Sequence, residues 1–379
     1  MKTKTVTKVR LLILVVIVVF ITYETYMHQV KGGGPDGSPS IHALCPYGGL
    51  ESLYTIFTSG SFIDKIYSGT LVLFVVSIIT ALIFKRGFCG WLCPLGGLQE
   101  FLARIGKKIM GRQLVMPVKL DKVLRYLKYG VLVLTAYLAW KTASMWVSPY
   151  DPWAAYGHLG EGIPSVWKEF SVGFILLIIT FVGSFFYDRF FCKYLCPMGG
   201  FLGLVAKISP FKIKRDAEVC IDCNLCTVLC SMNIDVAKVD TVTSDECINC
   251  QECVAVCPKE GALVNTYSFM KTKKRSIKPL YIGLAILVVY FGGIGISELS
   301  GSYNLLPEPF TEETVITDVD TLKGYMTISE ISAAMKINLE DVYKRMNIPE
   351  NIPANTAMKE LSELIPGFDF HDAREALKD

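Results

Sequence analysis

The apolar positions of this chain are gathered into runs rather than faces. Five runs are long enough to cross a bilayer as helices: residues 11–22 continuing to about 27, 66–84, 124–146, 172–187 and 280–296. Lys2, Lys4, Lys8 and Arg10 precede the first run, as in a secretory leader. No small-residue cleavage site follows it, and Tyr23 and Tyr26 suit an interfacial belt, so an uncleaved anchor is expected. After a proline-containing linker, Leu306-Pro307-Glu308-Pro309, the pattern changes to short helical periods. Thr327-Ile328-Ser329-Glu330 opens one through Ile331, Met335 and Ile337. Asn338-Leu339-Glu340-Asp341 opens another through Val342 and Met346, and residues 357–365 and 371–377 give two more.

Basic residues fall on one side of the runs. Lys85, Arg86, Arg104, Lys107, Lys108, Arg112, Lys119, Lys122 and Arg125 lie between the second and third, and Lys271, Lys273, Lys274, Arg275 and Lys278 precede the fifth. Residues 147–169 hold one lysine. The positive-inside rule places the N-terminus, the connection 85–125 and residues 188–278 in the cytoplasm. It places loops 28–65 and 147–169 and the tail from 298 outside. The expected setting is a multi-pass protein of a bacterial or archaeal cytoplasmic membrane. Composition agrees, with 51% hydrophobic residues, 19% charged residues and a mean hydropathy of +0.40 over 379 residues. Net charge is +3, but residues 298–379 carry 16 acidic against 7 basic side chains, leaving +12 on the rest. Thirteen cysteines exceed ordinary transporter usage, and their spacing is not that of a secreted disulfide framework. A soluble enzyme, a nucleic-acid binder and a disulfide scaffold are excluded.

An internal repeat sets the first cysteines. Phe88-Cys89-Gly90-Trp91-Leu92-Cys93-Pro94-Leu95-Gly96-Gly97 recurs 103 residues later as Phe191-Cys192-Lys193-Tyr194-Leu195-Cys196-Pro197-Met198-Gly199-Gly200. The same offset carries Cys45-Pro46-Tyr47 onto Ser148-Pro149-Tyr150. The first four runs therefore read as two parallel two-helix copies related by an axis along the membrane normal. That axis brings Cys89, Cys93, Cys192 and Cys196 to one depth at the cytoplasmic face. Four thiolates there suit an iron–sulfur cluster, and the Pro-x-Gly-Gly turn offers backbone amides to its sulfurs. Two buried thiol pairs, or a zinc site closing the bundle, are the alternatives.

The second group is more specific. Cys220-x2-Cys223-x2-Cys226-x3-Cys230 is followed by Cys247-x2-Cys250-x2-Cys253-x3-Cys257-Pro258, the bacterial two-cluster ferredoxin pattern. Its three close cysteines take one cluster and its fourth the other. Cys220, Cys223, Cys226 and Cys257 are thus assigned to one [4Fe–4S] cluster, and Cys247, Cys250, Cys253 and Cys230 to the second. Val219, Ile221, Val228, Ile248 and Val254 are expected to form an apolar shell. The insert is tethered by residues 207–215 and must sit at the cytoplasmic mouth of the bundle.

The expected fold is an α-helical membrane bundle of two parallel two-helix repeats plus a fifth span, with an inserted α+β two-cluster ferredoxin domain and a small C-terminal all-α domain. The boundaries are 1–206 for the four-helix part, 207–270 for the ferredoxin, 271–297 for the fifth span and 298–379 for the acidic extracytoplasmic domain. Cys45 is left as a single outer metal ligand or redox handle, paired across a homodimer, or as a buried reduced thiol. The histidines His28, His42, His158 and His371 all fall on the outer side. There Tyr47, Tyr150, Asp151, Trp153 and His158 are the candidates for a quinone pocket. No Cys-x-x-Cys-His and no nicotinamide fingerprint occur.

Two Phe-Cys-x3-Cys-Pro-x-Gly-Gly turns with a two-cluster ferredoxin in one chain resemble the NapH/NosR/CcoG-type membrane polyferredoxins over residues 1–297. The resemblance implies electron transfer between the quinone pool or cytoplasmic donors and partners across the membrane. It also implies the motif roles of Cys89, Cys93, Cys192 and Cys196 and cluster ligation by the eight ferredoxin cysteines. This chain lacks the large N-terminal flavin-binding domain of the NosR pattern. One reading is thus an electron-transfer subunit with redox partner proteins on the cytoplasmic side and an extracytoplasmic partner at the acidic tail. The others are a copper-type metal reductase or assembly factor using the membrane thiols, and a redox-sensing regulator.

Overall fold

The computed structural model describes residues 2–60, 62–63, 65–267, 277–307, 319, 322, 324–365, 368 and 370–377. Lys271, Lys273, Lys274, Arg275, Glu308 and Pro309, used above, lie outside the described residues. The chain forms two compact units: residues 1–26 with 39–305, and residues 27–38 with 306–379.

The first unit is mostly helical. It contains α1 (Lys2–Lys31, whose end belongs to the second unit), α2 (Tyr47–Ser59), α3 (Ser68–Phe84), α4 (Gly87–Trp91), α5 (Pro94–Met110) and α6 (Val118–Thr142). There follow α7 (Pro152–Gly157), α8 (Ile163–Phe186), α9 (Phe190–Tyr194) and α10 (Pro197–Ala206). α13 (Pro279–Leu299) closes the unit after the ferredoxin segment. Among the described residues three helices are long and apolar enough to cross a membrane: Thr5–Lys31, Ile163–Phe186 and Pro279–Leu299. Val16, Val19, Ile178, Val182, Val288 and Phe291 on them are exposed, as side chains turned to lipid are. The second and third apolar runs also form helices, with a difference. α3 is apolar but has 17 residues, because Tyr67 before it is extended and caps it. α6 starts at Val118, so its first half carries Lys119, Lys122, Arg125 and Lys128.

Elements recur at the offset seen in the sequence. α4 and α9 have five residues each and begin 103 apart, as do α5 and α10. Each of these longer helices begins on proline at its first position, where no amide is needed, with Cys93 or Cys196 extended just before it. α1 and α6 do not keep that offset, since the first copy has the longer outer connection.

The ferredoxin segment is α+β. β1 (Phe211–Arg215) lies between β2 (Thr241–Val242) and β3 (Leu263–Tyr267), antiparallel to both, with Ile213 opposite Val242 and Asn265. β1 begins inside the expected tether, so only residues 207–210 join bundle to sheet. Short helices α11 (Leu225–Val228) and α12 (Glu252–Val256) follow the two cysteine loops. Phe211, Ile213, Met232, Val236, Val242 and Ile248 supply the buried core, which is continuous with that of the bundle.

In the second unit α14 (Ile328–Met335) opens on the reciprocal Thr327–Glu330 capping box, and α15 (Leu339–Arg345) on Asn338. α16 (Met358–Leu364) and α17 (Phe370–Glu375) complete a core around Met326, Ile328, Ile331, Val342 and Leu361. His28 belongs to this unit, its Nδ1 2.6 Å from the Ser38 carbonyl oxygen.

Candidate iron–sulfur sites

The two ferredoxin loops are built alike. In Cys220–Cys226 and Cys247–Cys253 the residue before the middle cysteine and the residue after it take positive φ: Asp222 and Asn224 in one, Asn249 and Gln251 in the other. Asn and Asp tolerate that conformation better than most side chains, so three sulfurs can be turned to one face. Each loop borders a cavity. One is lined by Cys247, Cys250, Cys253 and Cys230, with Ile248 and Met232. The other is lined by Cys220, Cys223, Cys226 and Cys257, with Ile221 and Leu225. Each cavity thus takes its fourth cysteine from the other run. Burial pushes the Cys250 thiol up to about 12 against the pull of Arg10, and Cys230 up to about 11. Iron ligation is what would hold such buried sulfurs as thiolates. The expected apolar shell is only partly present: Ile248 is buried and Val254 half-buried, but Val219, Ile221 and Val228 are exposed. They flank the outer loop, where Cys223 is exposed too.

The four membrane-motif thiols are neighbours. Cys93 lies within electrostatic reach of Cys89 and Cys192, and Cys196 within reach of all three. The Gly96 amide donates to Cys93 Sγ, and the Gly199 amide to Cys196 Sγ at 3.3 Å. Gln99 Nε2 donates to Cys192 Sγ at 3.2 Å. None of the four glycines has positive φ. Gly96 and Gly199 give room for close approach: a Cβ on Gly96 would lie 2.7 Å from Arg189 Nη1, and one on Gly199 2.7 Å from Arg86 Nη2.

The ferredoxin segment is seated directly on the first motif. Trp91 Nε1 donates to the Asn249 carbonyl at 3.0 Å, and Asn249 Nδ2 donates to the Phe84 carbonyl at 2.8 Å. Gly90 is so close that an added Cβ would stand 2.2 Å from the Ile248 carbonyl oxygen. Buried ion pairs lock the seam. Arg10 pairs with Glu100 and, at 2.9 Å, with Glu252; Arg104 reaches Glu252 at 3.0 Å. Arg86 pairs with Glu246 at 3.0 Å, and Lys128 with the same carboxylate. Lys85 donates to the Val242 and Ser244 carbonyls.

Buried cations outnumber buried carboxylates here: Arg10, Lys85, Arg86, Lys128, Arg189 and Lys193 against Glu100 and Glu246, with Asp121, Asp188, Asp245 and Glu252 half-buried around them. Arg10 Nε, Arg189 Nε and both Nε and Nη2 of Arg86 have no hydrogen-bond partner. Buried charge needs a counter-charge. Sets of four thiolates carrying an anionic iron–sulfur group fit that need in sign and place. Lys85 and Arg86 read in the sequence as charges of a cytoplasmic connection. The offset of 103 carries Arg86 onto Arg189 and could have flagged that pair, whereas nothing in the sequence ties Glu246 or Glu252 to the bundle.

Cys45 lies within electrostatic reach of Asp151 and Glu51, and Tyr47 within reach of Cys45 and Glu51. Cys45 is half-buried among Ile21, Ile41, Leu95 and Trp153, and among the described residues no group of three Cys, His, Asp or Glu side chains fit for a metal ion forms around it. The single-ligand reading of Cys45 therefore gains no co-ligands. Tyr150 stacks on Trp146, Trp153 on Tyr156 and His158 on Phe170, so three of the five quinone candidates are engaged in ring stacks. Tyr47 hydrogen-bonds Thr135, and Asp151 caps α7, with burial raising its carboxyl to about 6. His42 Nε2 meets Ser148 Oγ at 2.9 Å. The His371 side chain is outside the described residues.

A family model for a 4Fe-4S binding domain (Fer4_5) matches residues 69–113 and 171–216, the two segments that contain Cys89/Cys93 and Cys192/Cys196. The chain is 31% identical over 306 residues to YccM of Escherichia coli K12, whose name refers to electron transport; the match spans 77% of this chain and 80% of that protein. It is 28% identical to the ferredoxin-type protein NapH of Haemophilus influenzae, over 49% of this chain and 64% of NapH. It is 29% identical to the regulatory protein NosR of Pseudomonas aeruginosa, over 48% of this chain and 26% of NosR. No solved structure matches. Two matched motif segments, and a likeness to YccM along most of both chains, lead to one conclusion: this chain belongs to the NapH/NosR-type membrane polyferredoxins.

Proposed function

We propose that this protein relays electrons between a cytoplasmic or quinone donor and a membrane or extracytoplasmic acceptor. Cys220, Cys223, Cys226 and Cys257 hold one [4Fe–4S] cluster, and Cys247, Cys250, Cys253 and Cys230 hold a second. Cys89, Cys93, Cys192 and Cys196, brought together by two parallel repeats, hold a third iron–sulfur cluster. When bound, such clusters supply one-electron carriers whose potentials follow charge, hydrogen bonding and burial. The observation that carries this reading is the seating of the Cys247–Cys253 loop on Gly90 and Trp91, between Cys89 and Cys93. Electron transfer between carriers needs short, fixed separation, and the seam supplies it: Trp91 and Asn249 fix the loop, and the ion pairs of Arg10 and Arg86 prevent sliding. Ile248 and Met232 keep water from the inner sulfurs. Within this reading the ferredoxin segment faces the cytoplasm, and the acidic unit at the tail docks an extracytoplasmic partner.

Iron and acid-labile sulfide per chain, measured on anaerobically purified protein, test this. Wild type is expected to carry about twelve irons, and Cys93→Ala/Cys196→Ala to lose about two to four of them. Equal iron of about eight in both samples would refute the membrane cluster and favour thiols acting alone.

A further inference from the structure

Arg86 and Arg189 occupy equivalent places, three residues before Cys89 and Cys192. Both are fully buried, and each crosses to the other copy's turn: Arg86 lies over Gly199 and Arg189 over Gly96, at the same 2.7 Å from the Cβ that either glycine lacks. Arg189 is fully engaged at its tips, Nη1 donating to the Cys89 carbonyl at 2.6 Å and Nη2 to Glu100 at 3.0 Å. Arg86 is not. Its Nη1 donates to Glu246 at 3.0 Å, while Nη2, the atom over the Gly199 turn, has no acceptor. The Coulombic neighbours of Arg86 include Cys89, Cys192 and Cys196. A buried, unpaired guanidinium N–H costs about 1–3 kcal/mol unless an acceptor meets it. The nearest candidates are the Cys192 carbonyl oxygen, which borders the same Gly199 site, and the sulfurs of Cys89, Cys192 and Cys196.

The two copies also differ in where the counter-charge comes from. Gln99 and Glu100 of α5 correspond by offset to Leu202 and Gly203 of α10, which carry no charge. Gly203 leaves room for the Asp245 carbonyl, 3.6 Å from where its Cβ would be, and Glu246 next to it supplies the missing carboxylate. The second copy is completed by the ferredoxin segment, through the residue preceding Cys247.

Taking the membrane thiols to hold a cluster, as proposed above, we infer that Arg86 is a positioning and potential-setting residue for that group, offering Nη2 to it while Glu246 fixes and partly neutralises the guanidinium. Arg189 and Glu100 do the same from the other copy with both terminal nitrogens engaged. A cation beside an anionic cluster favours the reduced form, so removing it lowers the potential and removing its carboxylate partner raises it.

The test is an EPR-monitored redox titration of the whole protein, with iron counted in each sample. R86Q is expected to shift the membrane-cluster equilibrium toward the oxidised form at least tenfold, ~59 mV for one electron, and E246Q to shift it the other way. An R86Q midpoint equal to wild type, or shifts of both variants in the same direction, overturns the assignment. Should R86Q lose the membrane iron, the charge-retaining R86K is read instead. A wild-type signal from R86K then overturns the assignment, and an altered signal or loss of that iron alone upholds it. A wild type carrying only ferredoxin iron removes the cluster reading itself, which is a separate result seen before any arginine is changed.

Discussion

The two ferredoxin loops have the same cysteine spacing and the same backbone, yet one is interior and the other is surface. Asn249 is 1% exposed and Gln251 is fully buried, whereas the Asp222 side chain is 79% exposed. The inner loop spends its amides on structure: Asn249 on the Phe84 carbonyl and Gln251 on Asn249 and, through Oε1, on Asn265. The outer loop has Asp222 against Arg215 at 3.1 Å and the Cys220 thiol against the same carboxylate at 3.6 Å, exposed contacts of small worth. Spacing therefore decides what a loop can bind, and the residues between the cysteines decide what it is joined to.

Three experiments break or sharpen this contrast. Cys230→Ala and Cys257→Ala should each cost about four irons, taken from the inner and outer cavity respectively. Only Cys230→Ala should also lower the melting temperature of the bundle, and equal thermal losses would erase the distinction. Next, Asn249→Asp keeps the shape but sets a carboxylate oxygen against the Phe84 carbonyl. It should destabilise by about 2–3 kcal/mol in chemical denaturation, since a buried acceptor is left facing another. The mirror change in the outer loop, Asp222→Asn, should stay within about 0.5 kcal/mol in the same assay. A penalty like that of Asn249→Asp would mean that the outer loop is also covered.

What the sequence made legible follows from how much each feature constrains the chain. The two cysteine runs could be assigned to crossed sets of four because the cavities form with those partners, and that pairing is local geometry repeated. The recurrence at 103 residues marked the turns for the same reason. Charges were harder to read. Lys85 and Arg86 look like cytoplasmic loop residues, and only the fold shows Glu246 arriving from 160 positions away to meet Arg86. Val219, Ile221 and Val228 failed in the opposite sense: an apolar residue beside a cluster ligand is buried only if something lies over it. The glycines of the Pro-x-Gly-Gly turns were rightly singled out, but for turn conformation rather than for the room that a guanidinium needs.

The composition of the second unit has a consequence of parity. It is assembled from residues 27–38, just past the first long helix, and residues 306–379, just past the last. Were that unit to keep to one face of a bilayer, its two segments would have to emerge from their helices on the same side. The first and last helices must then point the same way, and the number of crossings from one to the other must be odd. Three long apolar helices satisfy that by themselves. α3 and α6 can only be added together, giving five. A topology in which one of them crosses and the other does not would pull that unit apart.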